Sequence, residues 1–143
     1  MATFDTDGNP LTGTITGTDG NDSYIGRYLG DSPYKAGISD AKITDLIGGS
    51  VITAENTLSK GWSPVGILNS FIRLGDGQHS IAVGVVGNGY TRGIGESSIE
   101  LGAGDSLTEI SLSSGTTTDN RRQSGMENSS FKAGAGNDVL KIR

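Results

Sequence analysis

The sequence predicts an all-β chain wound into a right-handed parallel β-solenoid, a β-helix or β-roll of about five coils. Three observations predict it. Glycine supplies 24 of the 143 residues, and its positions are spaced along the chain. Short stretches alternate apolar and polar residues, the period of a strand with one buried face. The unit of strand, glycine turn and strand then returns every 27 to 32 residues, too small to bury its apolar face unless copies stack into one core. So much glycine opposes helix, at roughly 1 kcal/mol per interior position. Without a strict Gly-X-Y period and with only three prolines, a collagen helix is excluded as well. A Greek-key sandwich also uses short strands and glycine turns, but it gives no reason for matched turns at a near-constant period.

The elements follow in order. Residues 1–12 read as an N-terminal arm or cap on a single domain spanning 1–143. The first coil begins near residue 13, with Ile15 in its strand and Asp19-Gly20-Asn21-Asp22-Ser23-Tyr24 as its turn. The second begins near 37 with Gly37-Ile38-Ser39-Asp40-Ala41-Lys42-Ile43-Thr44 and has a degenerate turn, Asp45-Leu46-Ile47-Gly48-Gly49. The third, near 66, is the clearest. Ser70, Ile72 and Leu74 alternate with Phe71 and Arg73 before Gly75-Asp76-Gly77, and Ile81, Val83 and Val85 alternate after it. The fourth and fifth, near 93 and 125, repeat it as Ile99-Glu100-Leu101-Gly102-Ala103-Gly104 and Phe131-Lys132-Ala133-Gly134-Ala135-Gly136. Stacking then predicts vertical neighbours. Ile43, Ile72, Ile99 and Phe131 should lie over one another inside, as should Ile38, Ile67, Ile94 and Met126. Outside, Arg73, Glu100 and Lys132 should form a ladder of alternating charge.

Composition narrows the function. A net charge of −5, with Arg121-Arg122 the main basic pair, argues against nucleic acid, whose phosphates demand a basic face. There is no cysteine, so neither disulfides nor thiolate metal chemistry is expected. Apolar runs are too short to cross a membrane as a helix, and the start, Met1-Ala2-Thr3-Phe4-Asp5, does not read as a signal peptide.

The turn Gly134-Ala135-Gly136-Asn137-Asp138-Val139-Leu140 resembles the haemolysin-type calcium-binding repeat of the repeats-in-toxin family, Gly-Gly-x-Gly-x-Asp-x-hydrophobic-x. Gly17-Thr18-Asp19-Gly20-Asn21-Asp22-Ser23-Tyr24 is similar to it. The long spacing between turns is closer to the long-coil variants of large secreted bacterial, especially cyanobacterial, surface proteins. The resemblance implies Ca²⁺ held by turn carbonyls and aspartates of stacked coils, with six to eight oxygens around each ion. It offers Asp22, Asp138 and Asp105 as ligands, with Asp19 and Asp76 as auxiliaries. The middle copies depart from the pattern. His79 stands at the ligand position in one, and Gly102-Ala103-Gly104-Asp105 reads as one residue short in the other. The family commonly leaves cells by type I secretion, through a signal following the repeats. No such segment follows Arg143 in this sequence, so a fragment of a larger exported protein and a virion protein released by lysis are both expected alternatives.

Insertions in a solenoid collect on one face, often the binding face. Here the variable connections are Arg27–Ala36, Thr53–Pro64, Val86–Arg92 and Gly115–Ser124. They carry Tyr28, Tyr34, Trp62, Tyr90, Arg121 and Arg122, residue types that protein interfaces concentrate and that also stack on sugars. Enzymatic readings find little support. Asp40 with Glu96, or Glu96 with Glu100, are the available carboxylate pairs, Asn69 falls between the first two, and the single histidine, His79, sits in a turn. A strand edge left open near Arg143 would need a cap, either the arm 1–10 or a neighbouring subunit. The expectation is a non-catalytic structural or assembly protein, a subunit or module of an extracellular or virion surface. It would self-associate or join protein partners, as a trimer or larger assembly. The alternatives are a capsid cement or tail protein, a secreted glycan-binding adhesive module, and a polysaccharide-acting β-helix enzyme.

Overall fold

A computed structural model describes residues 1–30, 35–114 and 122–143. They form strands β1 (Thr3–Asp5), β2 (Leu11–Thr16), β3 (Asp22–Gly30), β4 (Ala36–Ile47), β5 (Ser50–Trp62), β6 (Val65–Leu68) and β7 (Phe71–Asp76). There follow β8 (His79–Asn88), β9 (Thr91–Gly95), β10 (Ser98–Leu101), β11 (Ser106–Ser114), β12 (Gln123–Glu127), β13 (Ser130–Lys132) and β14 (Asp138–Ile142). Every strand pairing among the described residues is parallel, and the chain alternates between two sheets as a β-solenoid. Sheet 1 has the order β1-β3-β5-β8-β11-β14; sheet 2 runs β12-β9-β6-β4-β7-β10-β13, with β2 on β4. Parallel pairing throughout excludes the sandwich, whose hairpins and Greek keys pair antiparallel. The winding makes about four turns, against the expected five coils. The end copies are incomplete, since sheet 2 opens with the single strand β2.

The predicted columns are present. Ile15, Ile43, Ile72, Ile99 and Phe131 stand in register, as do Leu11, Ile38, Ile67, Ile94 and Met126. The isoleucines of the middle coils are fully buried. From sheet 1, Tyr24, Ile52 and Ile81 in one column and Ala54, Val83 and Ile110 in the next close the core. Phe4 of β1 stacks on Tyr24 with ring centroids 5.1 Å apart, so the segment 1–10 lies at the end of the stack opposite Arg143 and not over the edge of β14. At the other end Leu140 and Ile142, inner-column residues of β14, are exposed. Arg73, Glu100 and Lys132 are outer neighbours, and Arg73 Nε lies 3.9 Å from Glu100 Oε2.

Two of the bends in each coil are built differently. At the glycine edge, where sheet 2 passes into sheet 1, Gly48, Gly77, Gly104 and Gly136 have φ between 95° and 154°. A Cβ on Gly104 would lie 2.1 Å from the Gly77 carbonyl oxygen, so stacking and dihedral both require glycine there. At the second bend, within sheet 2, Asp40, Asn69, Glu96 and Asn128 take left-handed φ values of 47° to 51°. Ser70, Ser97 and Ser129 follow them. Each hydroxyl donates to the carbonyl two residues back, at 2.7 Å, and accepts an N–H from the preceding coil. The signal was present in the sequence, as Asp40-Ala41, Asn69-Ser70, Glu96-Ser97 and Asn128-Ser129 at matched positions of four copies.

Candidate functional site

The glycine edge is where the calcium expectation is tested. Register places Asp22, Ser50, His79, Ser106 and Asp138 in one column, the ligand position of the resembled repeat. The turn at 102–106 is therefore full length, with Ser106 in that column, and Asp105 falls one position before it. Asp22 and Asp138 are separated by three intervening coils, about 19 Å at the usual strand spacing. The carboxylates are also occupied. Asp22 is buried and accepts the Ala2 N–H at 2.5 Å, the Thr18 hydroxyl at 2.7 Å and the Thr18 N–H. Asp138 accepts the Ser106 hydroxyl at 2.5 Å, Asp105 the Asn137 N–H at 2.9 Å and Asp76 the Ala103 N–H at 2.9 Å. Turn carbonyls of Gly49, Gln78, Ala103, Asp105, Ala135 and Asn137 accept backbone N–H groups of neighbouring coils. Asp19 lies in the first turn, with no second carboxylate in its column closer than Asp76, two coils away. Among the described residues no three His, Asp or Glu side chains converge as a cation cage. Residues at this edge fit hydrogen-bonded stacking, and they do not fit a Ca²⁺ shell of six to eight oxygens.

Behind that edge lies a buried polar cluster that the sequence did not announce. Asp45 takes the inner position filled by Leu74 and Leu101 in later coils. Its Oδ2 accepts the Tyr24 hydroxyl at 3.0 Å and the Ser50 hydroxyl at 2.8 Å, while Oδ1 is buried without a partner. Room for it comes from Gly17, where a Cβ would sit 2.5 Å from the Asp45 carboxyl carbon. Burial first, then the hydrogen bond and charge of Asp45, push the Tyr24 phenol well above the ordinary tyrosine range. The N–H of Thr18 leads the effects that hold Asp22 below the ordinary aspartate range, against the burial that opposes it. His79 is buried in the same column. Its Nδ1 accepts the Ser50 N–H at 3.3 Å and its Nε2 bonds the Gly75 carbonyl at 2.7 Å. Both ring nitrogens thus serve the backbone.

The other candidates scatter. Asp40 and Glu96 stand two coils apart at the serine bend, with Asn69 between them donating to Asp40 Oδ1 at 2.7 Å. Glu100 lies on the outer face of β10. Connections named from the sequence are largely strand: Arg27 and Tyr28 belong to β3, and most of Thr53–Pro64 is β5. Sheet 1 strands run on because their partners continue in register, from Arg27 against Glu55 to Thr57 against Val86. Tyr28 is consequently half-buried in the inner column of Asn56 and Val85 rather than on an outer face. Trp62 ends β5. Tyr90, in the bend between β8 and β9, has the Arg92 guanidinium 5.7 Å and that of Arg122 5.9 Å from its ring centroid. Tyr34 and Arg121 lie outside the described residues.

The outer face of sheet 1 was not singled out from the sequence. It carries Leu29, Val51, Val86, Leu107 and Val139, five of the ten exposed large apolar side chains among the described residues. Its central strand β8 presents the small residues Ser80, Ala82 and Gly84. A hollow of about 620 Å³ lies where this face meets the glycine edge, lined by Asn21, Gln78 and Asp105 of the turns and by Val51, Ser80 and Leu107 of the strands, and a smaller one of about 160 Å³ lies over Ala82 and Gly84, bordered by Glu55 and Glu109. The signal was legible in principle, as outward strand positions holding valine and leucine where a solvated sheet would carry charge. No protein-family model, curated protein or solved structure matches the chain.

Proposed function

We propose that this chain is a non-catalytic β-solenoid that works by assembly, as a subunit or module of an extracellular or virion surface. The observation that carries this reading is the apolar outer face of sheet 1. Exposed apolar side chains gathered on one face mark interaction sites, and here Val51, Leu107 and Val139 share one outward row near the glycine edge, while Leu29 and Val86 share another towards the far ends of their strands. The polar chemistry supports it from the other side. His79, Asp22 and Asp45 are buried and engaged with backbone or hydroxyl groups, which suits a scaffold held from within. Placement outside the cell rests on the resemblance of the glycine turns to secreted repeat proteins, and a virion surface is the alternative for a chain released by lysis.

Light scattering of the purified chain, with and without calcium, tests the proposal. A discrete oligomer, or binding to an isolated shell, supports a capsid cement or tail subunit. A monomer that binds glycans supports a secreted adhesive module. A monomer that binds neither, or release of reducing or unsaturated ends from acidic polysaccharides, overturns the assembly reading.

A further inference from the structure

We infer that the hollow where the outer face of sheet 1 meets the glycine edge is a binding site for a neutral saccharide of one or two rings. The inference goes beyond the assembly reading and does not depend on it.

Stacking makes the hollow. Asn21, Gly49, Gln78 and Asp105 are the last turn residues of successive coils, one position before the column of Asp22, Ser50, His79 and Ser106. One position after that column, Val51, Ser80 and Leu107 follow each other on the outer face. Gly49 and Ser80 are the small members of these two rows, so space opens over them and the larger side chains stand around it. A Cβ on Gly49 would lie 2.7 Å from the Gln78 carbonyl oxygen and 3.2 Å from Asn21 Oδ1, so close stacking itself keeps a side chain out of that place. The resulting volume of about 620 Å³ lies within the range of small-molecule sites, about 300–1,000 Å³. Its length, from the coil of Asn21 to that of Asp105, is three strand spacings, or about 14 Å.

The two walls differ in chemistry. On the turn side, Asn21 Oδ1 accepts the Gly49 N–H at 2.9 Å, which fixes the side chain and leaves its amide NH₂ free to donate. Asp105 Oδ1 is fixed in the same way by the Asn137 N–H at 2.9 Å, leaving Oδ2 free to accept. The Gln78 side chain is exposed and makes no hydrogen bond among the described residues, so its donor and its acceptor are both available. On the strand side, Val51 and Leu107 are exposed and offer only aliphatic surface. A sugar ring is divided likewise, with hydroxyls at its rim and C–H groups on its face. Each hydroxyl both donates and accepts, so it can pair with an amide and with a carboxyl oxygen in turn.

Charge and hydration exclude the other small ligands. No lysine or arginine lines the hollow, so a phosphate, a sulfate or a uronate would meet the Asp105 carboxyl without any cation to pair with it. His79, the remaining titratable neighbour, is buried and has both ring nitrogens engaged with backbone groups. A wholly apolar ligand would take water from the amides and the carboxyl and return no hydrogen bond.

Amide-signal NMR titration of the 143-residue chain with cellobiose, lactose, maltose and chitobiose tests the site. At least one of them should move the signals of residues 49–51, 78–80 and 105–107 saturably, with a dissociation constant near about 1 mM. Gln78→Ala, which takes one donor and acceptor from the polar wall, should weaken binding about tenfold. Ser80→Leu, which fills the floor, should abolish it. Lys132→Ala, on the outer face of sheet 2, should leave it unchanged. Gln78 is exposed and unpaired, so its variant should melt with the parent and keeps the test decisive even where Ser80→Leu folds less well. A disaccharide carrying a uronate should bind about tenfold more weakly than its neutral counterpart or worse. No saturable shift with any of the four, binding that survives both Gln78→Ala and Ser80→Leu, or preference for the uronate overturns the site. Light scattering judges the assembly reading separately. A discrete oligomer that binds a saccharide supports both, and a discrete oligomer that binds none overturns the site alone.

Discussion

Asp45 stands where its neighbours in the column are Leu74 and Leu101, so one coil carries a buried carboxylate in an apolar position. Tyr24 and Ser50 answer it with hydroxyls, and those same hydroxyls depend on it. Asp45→Ala should therefore lower stability by about 1–3 kcal/mol, the usual cost of leaving buried donors unpaired, as read from urea midpoints. Titration at this cluster has a definite sign. The Tyr24 phenol is pushed above its ordinary value near 10, so its contribution is full below pH 10 and is lost as pH rises beyond it. Tyr24→Phe should flatten the alkaline fall in stability. Asp22 is shifted the other way, below 3.8. Its contribution is present above that pH and disappears as the pH falls through the lowered value, so Asp22→Asn should flatten the acid limb. Neither Tyr24 nor Asp45 was legible as a polar pair, because each is an ordinary member of a strand pattern until the columns align. From the sequence, Asp22 reads as a metal ligand because its type and spacing match a calcium turn. Only the Ala2 and Thr18 donors around it show a different use.

At the level of the element, each strand's identity follows from period-two patterning, and each bend follows from backbone chemistry. Two glycines give a paired test. Gly104 has φ 125°, and a Cβ added there would meet the Gly77 carbonyl oxygen at 2.1 Å, so Gly104→Ala should cost at least about 2 kcal/mol through strain and collision. Gly84 on the outer row of β8 has nothing within 4 Å of such a Cβ. Gly84→Ala should be neutral or stabilising by up to about 1 kcal/mol, since alanine loses less entropy in a strand. Comparing the two by thermal unfolding separates stacking from composition. The outer charge ladder belongs to this scale too. Arg73 and Glu100 are largely exposed at 3.9 Å, a pairing that ordinarily contributes about 0–1 kcal/mol; the pair serves register more than stability. Truncating the column beneath it is a different matter, and Ile72→Ala, at full burial, should cost about 2–5 kcal/mol.

Across the whole molecule, the stack is held by parallel ladders and an aliphatic core running through every coil. The turn carbonyls that would face a metal are hydrogen-bonded from coil to coil. Melting in excess EDTA and in millimolar Ca²⁺ should accordingly give midpoints within about 1 °C; a rise of several degrees with calcium would restore the metal to the fold. The sequence by itself determined that this chain is all-β, that its coils repeat near 30 residues, and which isoleucines stack inside. Those properties are local or periodic, and a side-chain period of two leaves each strand one way to bury its face. Tertiary structure alone decided the rest. It set the register that spaces the aspartates four levels apart and turns Tyr28, half-buried, into an inner column. It also gathered Leu29, Val51, Val86, Leu107 and Val139, each from a different strand, onto one face. The physical reason is that convergence across coils depends on which residues meet at about 4.8 Å across a ladder, and residues some thirty positions apart carry no local trace of that meeting.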